Sequence, residues 1–386
     1  PVESVQNLAQ TAFFNRLKAE LQRKHQRLLV CLQGERSWCL TQCKAISVFS
    51  SQMILSNADD LEQATAFSKA DTLLGQEADC VLYDAFDGVQ LDVLCMAAGL
   101  VRAGGVLILL TPADPIQMED RYGQWQGTGQ SSNYFLQYFF SALEPEMLVL
   151  RQFQPDAAIV IPELPESKLT PLVEGVSAEQ HQVLQALDCW LNQKTPSLFL
   201  LTADRGRGKS TTLGMFARQH AKARRIVVSA ASRAQLVVLF KQLGNQKQSI
   251  EFMAPDELIR QQRRIELLII DEAAMLPNSI LQQCLALSDK TVLATTTGGY
   301  EGSGQGFMLK FRAQLTATQF LHHRLIAPVR WGQQDSLEQW LNRVLMLKAE
   351  TSHPAKPQEA YSIMMVSREQ LSQNMDLLKQ VYTLLI

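Results

Sequence analysis

With 386 residues, 46% of them hydrophobic and 19% charged, the chain has the balance of a globular protein and room for two or three domains. This composition excludes a disordered or collagen-like chain, and no apolar run reaches the ~18 to 20 residues that a membrane span needs. The opening PVESVQNLAQ lacks the basic, apolar and small-residue succession of a signal peptide, so a cytoplasmic protein without membrane contact is expected.

The net charge of −2 conceals an asymmetry: residues 1–170 carry 12 Lys+Arg against 20 Asp+Glu, and the remainder 24 against 18. An anionic polymer would meet the second half first, unless the excess is only a solvated basic face. The cysteines are odd in number, seven, mostly in apolar surroundings and without a C-x-x-C pair, so they read as reduced, buried thiols. Cys39 and Cys43 lack a second ligand pair at finger-like spacing and read the same way.

Taken in order, residues 4–26 have helical apolar spacing (Val5, Leu8, Phe13, Leu17, Leu21) and lead into an apolar strand at 27–32. Further strands are expected at 45–49, 80–83 and 106–110, with a helix over 91–102 and a turn at Gly104 and Gly105. This alternation predicts a Rossmann-like α/β domain over residues 1–154 with a mostly parallel sheet. No G-x-G-x-x-G follows the first strand, so no dinucleotide signature is present. Asp84 and Asp87, at a strand exit, read as turn-capping residues rather than ligands. QWQGTG at 124–129 matches the pyrophosphate turn of acetyltransferases in letters, but no strand precedes it, and it reads as a surface loop. Prolines at 155, 162, 165 and 171 mark a linker over 155–175.

The second domain, 176–350, opens on a helix capped by Ser177, with Gln180 about a turn inside it; Gln180 is either a solvated helix position or a side chain reading an adenine edge. A short apolar strand at 198–201 then breaks into TADRGRGKS and turns helical. This is the pattern of a phosphate-binding loop, G-x-x-x-x-G-K-[ST], with Ala203 in place of the first glycine. Gly206 and Gly208 permit the tight curl of backbone N–H groups, and Ala203, Asp204, Arg205, Gly206, Arg207, Gly208, Lys209, Ser210 and Thr211 are expected to wrap the phosphates of ATP. Lys209 neutralises the β/γ-phosphates and Ser210 ligates Mg²⁺. A strand at 225–229 follows, and an apolar strand at 265–270 discharges into Asp271 and Glu272. Asp271 is expected to hold Mg²⁺ and Glu272 to act as general base, so that Lys209, Asp271 and Glu272 are the candidate catalytic set. A strand at 291–295 ends in Thr296, placed to sense the γ-phosphate, and in a glycine-rich loop. Arg330, before a helix at 336–347, either supplies charge to the transferring phosphoryl group or is a surface ion-pairing residue.

TADRGRGKS, DEAAMLP, TTTGGYEGSGQGF and PVRWGQQDSLEQWL, in this order after VSAEQ, resemble the helicase-like module of the bacterial tRNA(Met) cytidine acetyltransferase family. DCVLYDAFDG and LVRAGGVLILLTP resemble its N-terminal domain. Gln305 and Ser336 depart from the family pattern, which has arginine and proline there. The resemblance implies two Rossmann/RecA-like domains, the second a P-loop NTPase domain. It also implies ATP-dependent acetylation of N4 of the wobble cytidine of elongator tRNA(Met), with acetyl-CoA as donor. ATP hydrolysis would present the base, which must leave its stack to react. By the same resemblance, 351–386 is the start of an acetyltransferase domain whose acetyl-CoA turn lies beyond the chain. Opening at Pro1 and stopping at VYTLLI, the chain is expected to be a fragment that hydrolyses ATP and contacts tRNA without acetylating it. The competing readings are a stand-alone superfamily 1-like RNA helicase or translocase, and a binding scaffold with a vestigial nucleotide site. Arg224, Arg225, Arg263 and Arg264 are candidate RNA contacts or ion-paired residues.

Overall fold

A computed structural model describes residues 2–118, 133–154, 159–194, 197–297, 320–348 and 364–385. The chain divides into two compact units, Pro1–Phe67 with Glu77–Ser167 and Gln334–Ile386, and Ser68–Gln76 with Lys168–Gln333.

The first unit opens on helix α1 (Val2–Lys24), then strand β1 (Leu28–Gln33), α2 (Arg36–Ala45), β2 (Gln52–Leu55), β3 (Ala78–Asp84), α3 (Leu91–Leu100), β4 (Val101–Thr111), α4 (Tyr134–Ser141) and β5 (Leu148–Arg151). Its five strands lie in the order β2-β3-β4-β1-β5, with every pairing parallel. All six residues of β1 are buried, as a continuous apolar run in a doubly covered sheet requires.

Two local expectations are corrected. Residues 45–49 are not a strand: they finish α2 and turn through a short 3₁₀ segment, burying Ile46 and Phe49, with Lys18 Nζ donating to Val48 O (2.6 Å). The apolar run is short enough to be buried by a single helical turn, and the strand begins only at Gln52. Gly104 and Gly105 are likewise no terminal turn but sit inside β4, where the register with β3 shifts between Ala78 and Cys80. Gly104 has φ +82°, and a Cβ on Gly105 would collide with the Asp79 carbonyl, so the pair allows an irregularity that side chains would block.

Asp84 is buried at the exit of β3, accepting from Arg36 Nη2 (2.7 Å), Ser56 Oγ (2.8 Å) and Phe86 N (3.2 Å), the turn-capping role expected of it. The described thiols are free, and burial pushes those of Cys31, Cys39 and Cys43 up to about 12.

The second unit enters through a tight hairpin, β6 (Leu172–Val173) and β7 (Val176–Ser177), whose turn residues Glu174 and Gly175 both have positive φ. There follow α5 (Ala178–Leu191), β8 (Ser197–Ala203), α6 (Lys209–His220), β9 (Ile226–Ser229), α7 (Val237–Leu243), β10 (Ile250–Phe252), α8 (Pro255–Gln261), β11 (Leu267–Ile270), α9 (Asn278–Leu285), β12 (Lys290–Thr296) and β13 (Phe320–Leu325). The sheet order is β10-β9-β11-β12-β8-β13, again with every pairing parallel. The pleat sorts each apolar run onto two faces. Phe199, Leu201, Val228, Ile269 and Val292 pack with α5, α6 and α7, whereas Leu198, Leu200, Val227, Leu268 and Leu293 pack with α8 and α9. Both faces are covered, which is why these strands read as continuous rather than alternating apolar runs.

After Gln333 the chain rejoins the first unit through α10 (Ser336–Val344), the helix expected at the end of the ATPase domain; α11 (Arg368–Gln373) and α12 (Met375–Leu385) follow. Asp335 caps α10 by accepting from Glu338 N (2.8 Å) and receives Arg27 N (2.9 Å), Nε (3.1 Å) and Nη2 (2.8 Å). Burial pushes the Asp335 carboxyl up against the opposing pull of Arg27. Ser336 donates through N (2.7 Å) and Oγ (2.9 Å) to Gln26 Oε1, two bonds that a proline could not make. Trp340 Nε1 reaches Ala142 O (2.6 Å), with its ring edge-on to Phe139. No described helix is long and apolar enough to cross a membrane.

Candidate functional site

The carboxyl edge of a parallel sheet is where its strands release their loops and the adjoining helices present their N-termini, so ligands collect there. In the second unit this edge carries the turn between β8 and α6. Ala203 is the last residue of β8, fully buried, with register partners on both sides, Thr296 and Leu325. A strand residue needs no positive φ, so the alanine stands where a glycine is not required. The curl falls on Gly206 and Gly208, both at φ +79°.

Each glycine also yields space. A Cβ on Gly206 would collide with the Trp331 indole, and one on Gly208 with Gln180 Nε2. Gly208→Ala should therefore combine a left-handed backbone cost of about 1–2 kcal/mol with a displaced side chain. A lowered melting temperature together with lost nucleotide affinity is expected, read by thermal denaturation and a binding titration.

Lys209 opens α6 and is buried. Its ammonium donates to Asp271 Oδ1 and to Glu272 Oε1 (2.8 Å), while Ser210 Oγ donates to Asp271 Oδ2 (2.6 Å). Glu272 is held from its other side by Thr296, through N (3.1 Å) and Oγ1 (2.9 Å). Asp271 and Glu272 directly follow β11, and β12, between β11 and β8, ends in Thr296; the sheet order thus brings five predicted residues to one point. Burial works against the Lys209 charge, but Asp271 and Glu272 outweigh it and hold its pKa above the ordinary lysine value. Burial works against the Glu272 charge as well, and Lys209 and Thr296 overcome it, holding the carboxylate below its usual range. Glu272 also sits at φ +50°, a left-handed backbone uncommon for a residue with a Cβ.

The remaining predicted residues surround this cluster. Asp204 accepts from Thr297 Oγ1 (3.1 Å). Arg205 supplies its carbonyl to Arg207 Nη1 (2.7 Å), and Thr211 lies in the first turn of α6. Arg207 is buried with Nε on Ile326 O (3.1 Å) and its guanidinium near the Trp331 ring, so it braces the loop from behind. Arg330 follows Val329, whose N–H donates to Gly206 O (2.9 Å), and belongs to the segment that backs the loop. Gln180 is buried against Gly208 and Thr212. Residues 298–319, including Gln305 and the glycine-rich loop, lie outside the described residues, as does 124–129.

Sequence reading missed Glu179, whose Oε2 accepts from Ile326 N (2.9 Å) and Ala327 N (3.0 Å), and Trp331 against Gly206. An acidic residue in a helix's first turn has an ordinary electrostatic explanation, so no local signal marked it. The four arginines proposed for RNA are at the opposite, strand-entry side and carry ion pairs: Arg224 with Glu266, Arg225 and Arg263 with Glu251, and Arg264 with Asp289.

A parallel sheet whose first strand releases a glycine-curled Gly-Lys-Ser turn, with an acidic pair at the end of a strand one place removed, defines a P-loop NTPase domain. A family model described as RNA cytidine acetyltransferase NAT10/TcmA, helicase domain, matches residues 200–348, and one described as tRNA(Met) cytidine acetyltransferase TmcA, N-terminal, matches residues 6–152. Two proteins named tRNA(Met) cytidine acetyltransferase TmcA illustrate the likeness. The one from Photorhabdus asymbiotica is 30% identical over 383 residues, 96% of this chain and 54% of the relative. The one from Haemophilus influenzae is 34% identical over 302 residues, 75% of this chain and 44% of the relative. Among solved structures, the large terminase of a thermophilic bacteriophage aligns at a TM-score of 0.33 and 13% identity, over 43% of this chain and 49% of that one. The chain belongs to the tRNA(Met) cytidine acetyltransferase TmcA family. It spans about half the length of the curated relatives it matches.

Proposed function

We propose that the second unit binds and hydrolyses ATP, and that it does so within an enzyme that acetylates N4 of the wobble cytidine of elongator tRNA(Met) from acetyl-CoA in the cytoplasm. The observation that carries the ATPase reading is the convergence of Lys209, Ser210, Asp271, Glu272 and Thr296 beside the Gly206–Gly208 curl.

The chemistry follows from the groups present. Backbone N–H groups of the loop and of the first turn of α6 have no partner within the helix and suit phosphate oxygens. In the absence of nucleotide, the Lys209 ammonium is neutralised by two carboxylates; the β/γ-phosphates of ATP compete for the same cation, releasing Glu272. A carboxylate released beside the γ-phosphate can accept a proton from the attacking water, and Thr296 keeps it oriented. Ser210 Oγ and Asp271 Oδ2, a hydroxyl and a carboxylate oxygen brought together, are the hard oxygen donors that Mg²⁺ prefers. When bound, the ion neutralises charge on the phosphates. Arg330 is assigned the role of adding positive charge at the transferring group, because its segment is bonded to the loop at Gly206.

The acetyl transfer itself is proposed for the longer protein, on the family membership and the names of the relatives. The reading is tested by ATP hydrolysis of this chain with and without tRNA(Met), and by transfer of label from acetyl-CoA to that tRNA with the protein extended beyond residue 386. Hydrolysis stimulated by tRNA and label transfer by the extended protein are expected. Hydrolysis without label transfer would leave a plain RNA motor, and no hydrolysis at all would refute the site.

A further inference from the structure

Arg207 lies inside the phosphate loop, and its charge alone would make it a phosphate ligand. Its side chain is engaged elsewhere. The residue is 6% exposed, Nε donates to Ile326 O (3.1 Å), Nη1 donates to Arg205 O (2.7 Å), and the guanidinium carbon stands 5.9 Å from the centre of the Trp331 ring. Trp331 is buried as well and lays the six-membered part of its indole against Gly206, where a Cβ would sit, while Val329 N donates to Gly206 O (2.9 Å). The segment that makes these contacts is itself tied down, Pro328 O accepting from Thr170 Oγ1 (2.5 Å).

The sheet order gives these contacts a direction. Segment 326–331 follows β13, which pairs with β8 on one side; β12 and then β11 lie on the other, and there Lys209 meets Asp271 and Glu272. In a trans peptide unit the N–H points opposite to the C=O. Holding Arg205 O and Gly206 O on the β13 side therefore turns the next two N–H groups, those of Gly206 and Arg207, toward the β11 side. Successive N–H groups turned one way form a nest for a phosphate oxygen. Gly206, at φ +79°, is the left-handed member that such a curl needs.

Resting on the nucleotide-site reading above, we propose that Arg207 is a positioning residue whose guanidinium serves the loop and not the phosphate. Stacked on Trp331, it ties the loop's outward carbonyl to segment 326–331 and keeps the Gly206 and Arg207 amides aimed at the nucleotide. The loop uses the planar fork of this side chain, which lysine lacks, rather than its charge.

Arg207→Lys keeps the charge and loses the fork, whereas Arg207→Met loses both. The probes are Mg-ADP and inorganic pyrophosphate, titrated well below the melting temperature of each variant, together with steady-state ATP hydrolysis. Both variants should weaken both probes by about tenfold, since a misaimed pair of amides acts alike on any phosphate. KM for ATP should rise by a similar factor while kcat changes less, because the amides hold phosphate before and during the reaction. Trp331→Leu, which removes the stacking face, should act in the same direction, and combined with Arg207→Lys it should cost less than the product of the two single losses. Wild-type affinity in Arg207→Lys with loss in Arg207→Met would overturn the proposal in favour of a charge contact to phosphate. Unchanged affinity in both variants, whatever their melting temperatures, would overturn it too, as would a loss confined to kcat or fully multiplicative losses with Trp331→Leu. A wild-type chain that binds neither probe, or a Lys209→Met chain that binds both as well as wild type, would instead remove the nucleotide site on which the proposal rests.

Discussion

Lys209→Met is expected to lower ATP hydrolysis about a hundredfold or more and, at the same time, to destabilise the protein in the absence of nucleotide. The first effect is the loss of the cation proposed for the β/γ-phosphates. The second arises because Lys209 is the positive partner of two carboxylates, one of them, Asp271, fully buried. Removing one side of a buried pair costs about 3–5 kcal/mol, mostly as an uncompensated charge. The pH dependence follows from the pKa directions. The Glu272 carboxylate is held below its usual 4.5, so its contribution is present above that pH and is lost as pH falls through the lowered folded value. Lys209 is held above 10.5, so its contribution is present below that pH and is lost as pH rises through the raised value. The melting-temperature gap between wild type and Lys209→Met should thus be widest between about pH 5 and pH 10 and should narrow in acid, where the unpaired carboxylates can take up protons. A gap that stays constant into acid would show that the pair is not what the substitution breaks.

Glu272→Gln should separate binding from chemistry. Loss of the proposed general base should lower hydrolysis by about 10²- to 10⁴-fold. Nucleotide affinity should stay level or rise, because one of the two groups that hold Lys209 away from a phosphate loses its charge. Thr296 can still donate to the amide oxygen, so the side chain has a reason to keep its place. Single-turnover hydrolysis and an equilibrium titration distinguish the two quantities. A parallel loss of affinity and rate would assign Glu272 to binding and leave the base unidentified.

The parts of this protein that were legible in its sequence are those whose cause is local. A continuous apolar run that stops at Gly-Arg-Gly-Lys-Ser or at Asp-Glu signals a buried strand and a polar turn at its exit, and β8, β11 and the loop lie close to where that pattern put them. β13 was not legible, because FLHHRL reads as polar. As an edge strand it tolerates His322, bonded to Thr202 Oγ1 (2.8 Å), and His323, stacked on Phe199, and only pairing with β8 makes it a strand. The run at 45–49 misled in the opposite direction, its apolar residues being buried by a helical turn. Gln180 could be placed beside the loop by its spacing, but its bonds to Ser177, Gly208 and Thr212 come from tertiary geometry, which no local pattern marks. α10 carries no mark of the unit it packs on; Arg27 and Trp340 decide it from either end of the chain.

That return of α10 bears on the order in which the molecule can be completed. Arg27 and Asp335 are 308 residues apart, and the whole second unit is synthesised between them. The second unit closes on itself, with Gln333 N bonded to Lys168 O (3.1 Å) at its two ends, so it has all its strands before Asp335 emerges. The first unit, although begun earlier, then still lacks the carboxylate for a guanidinium that ends up buried. The nascent chain therefore holds every residue of its second unit before it holds the carboxylate that pairs with Arg27 in the first.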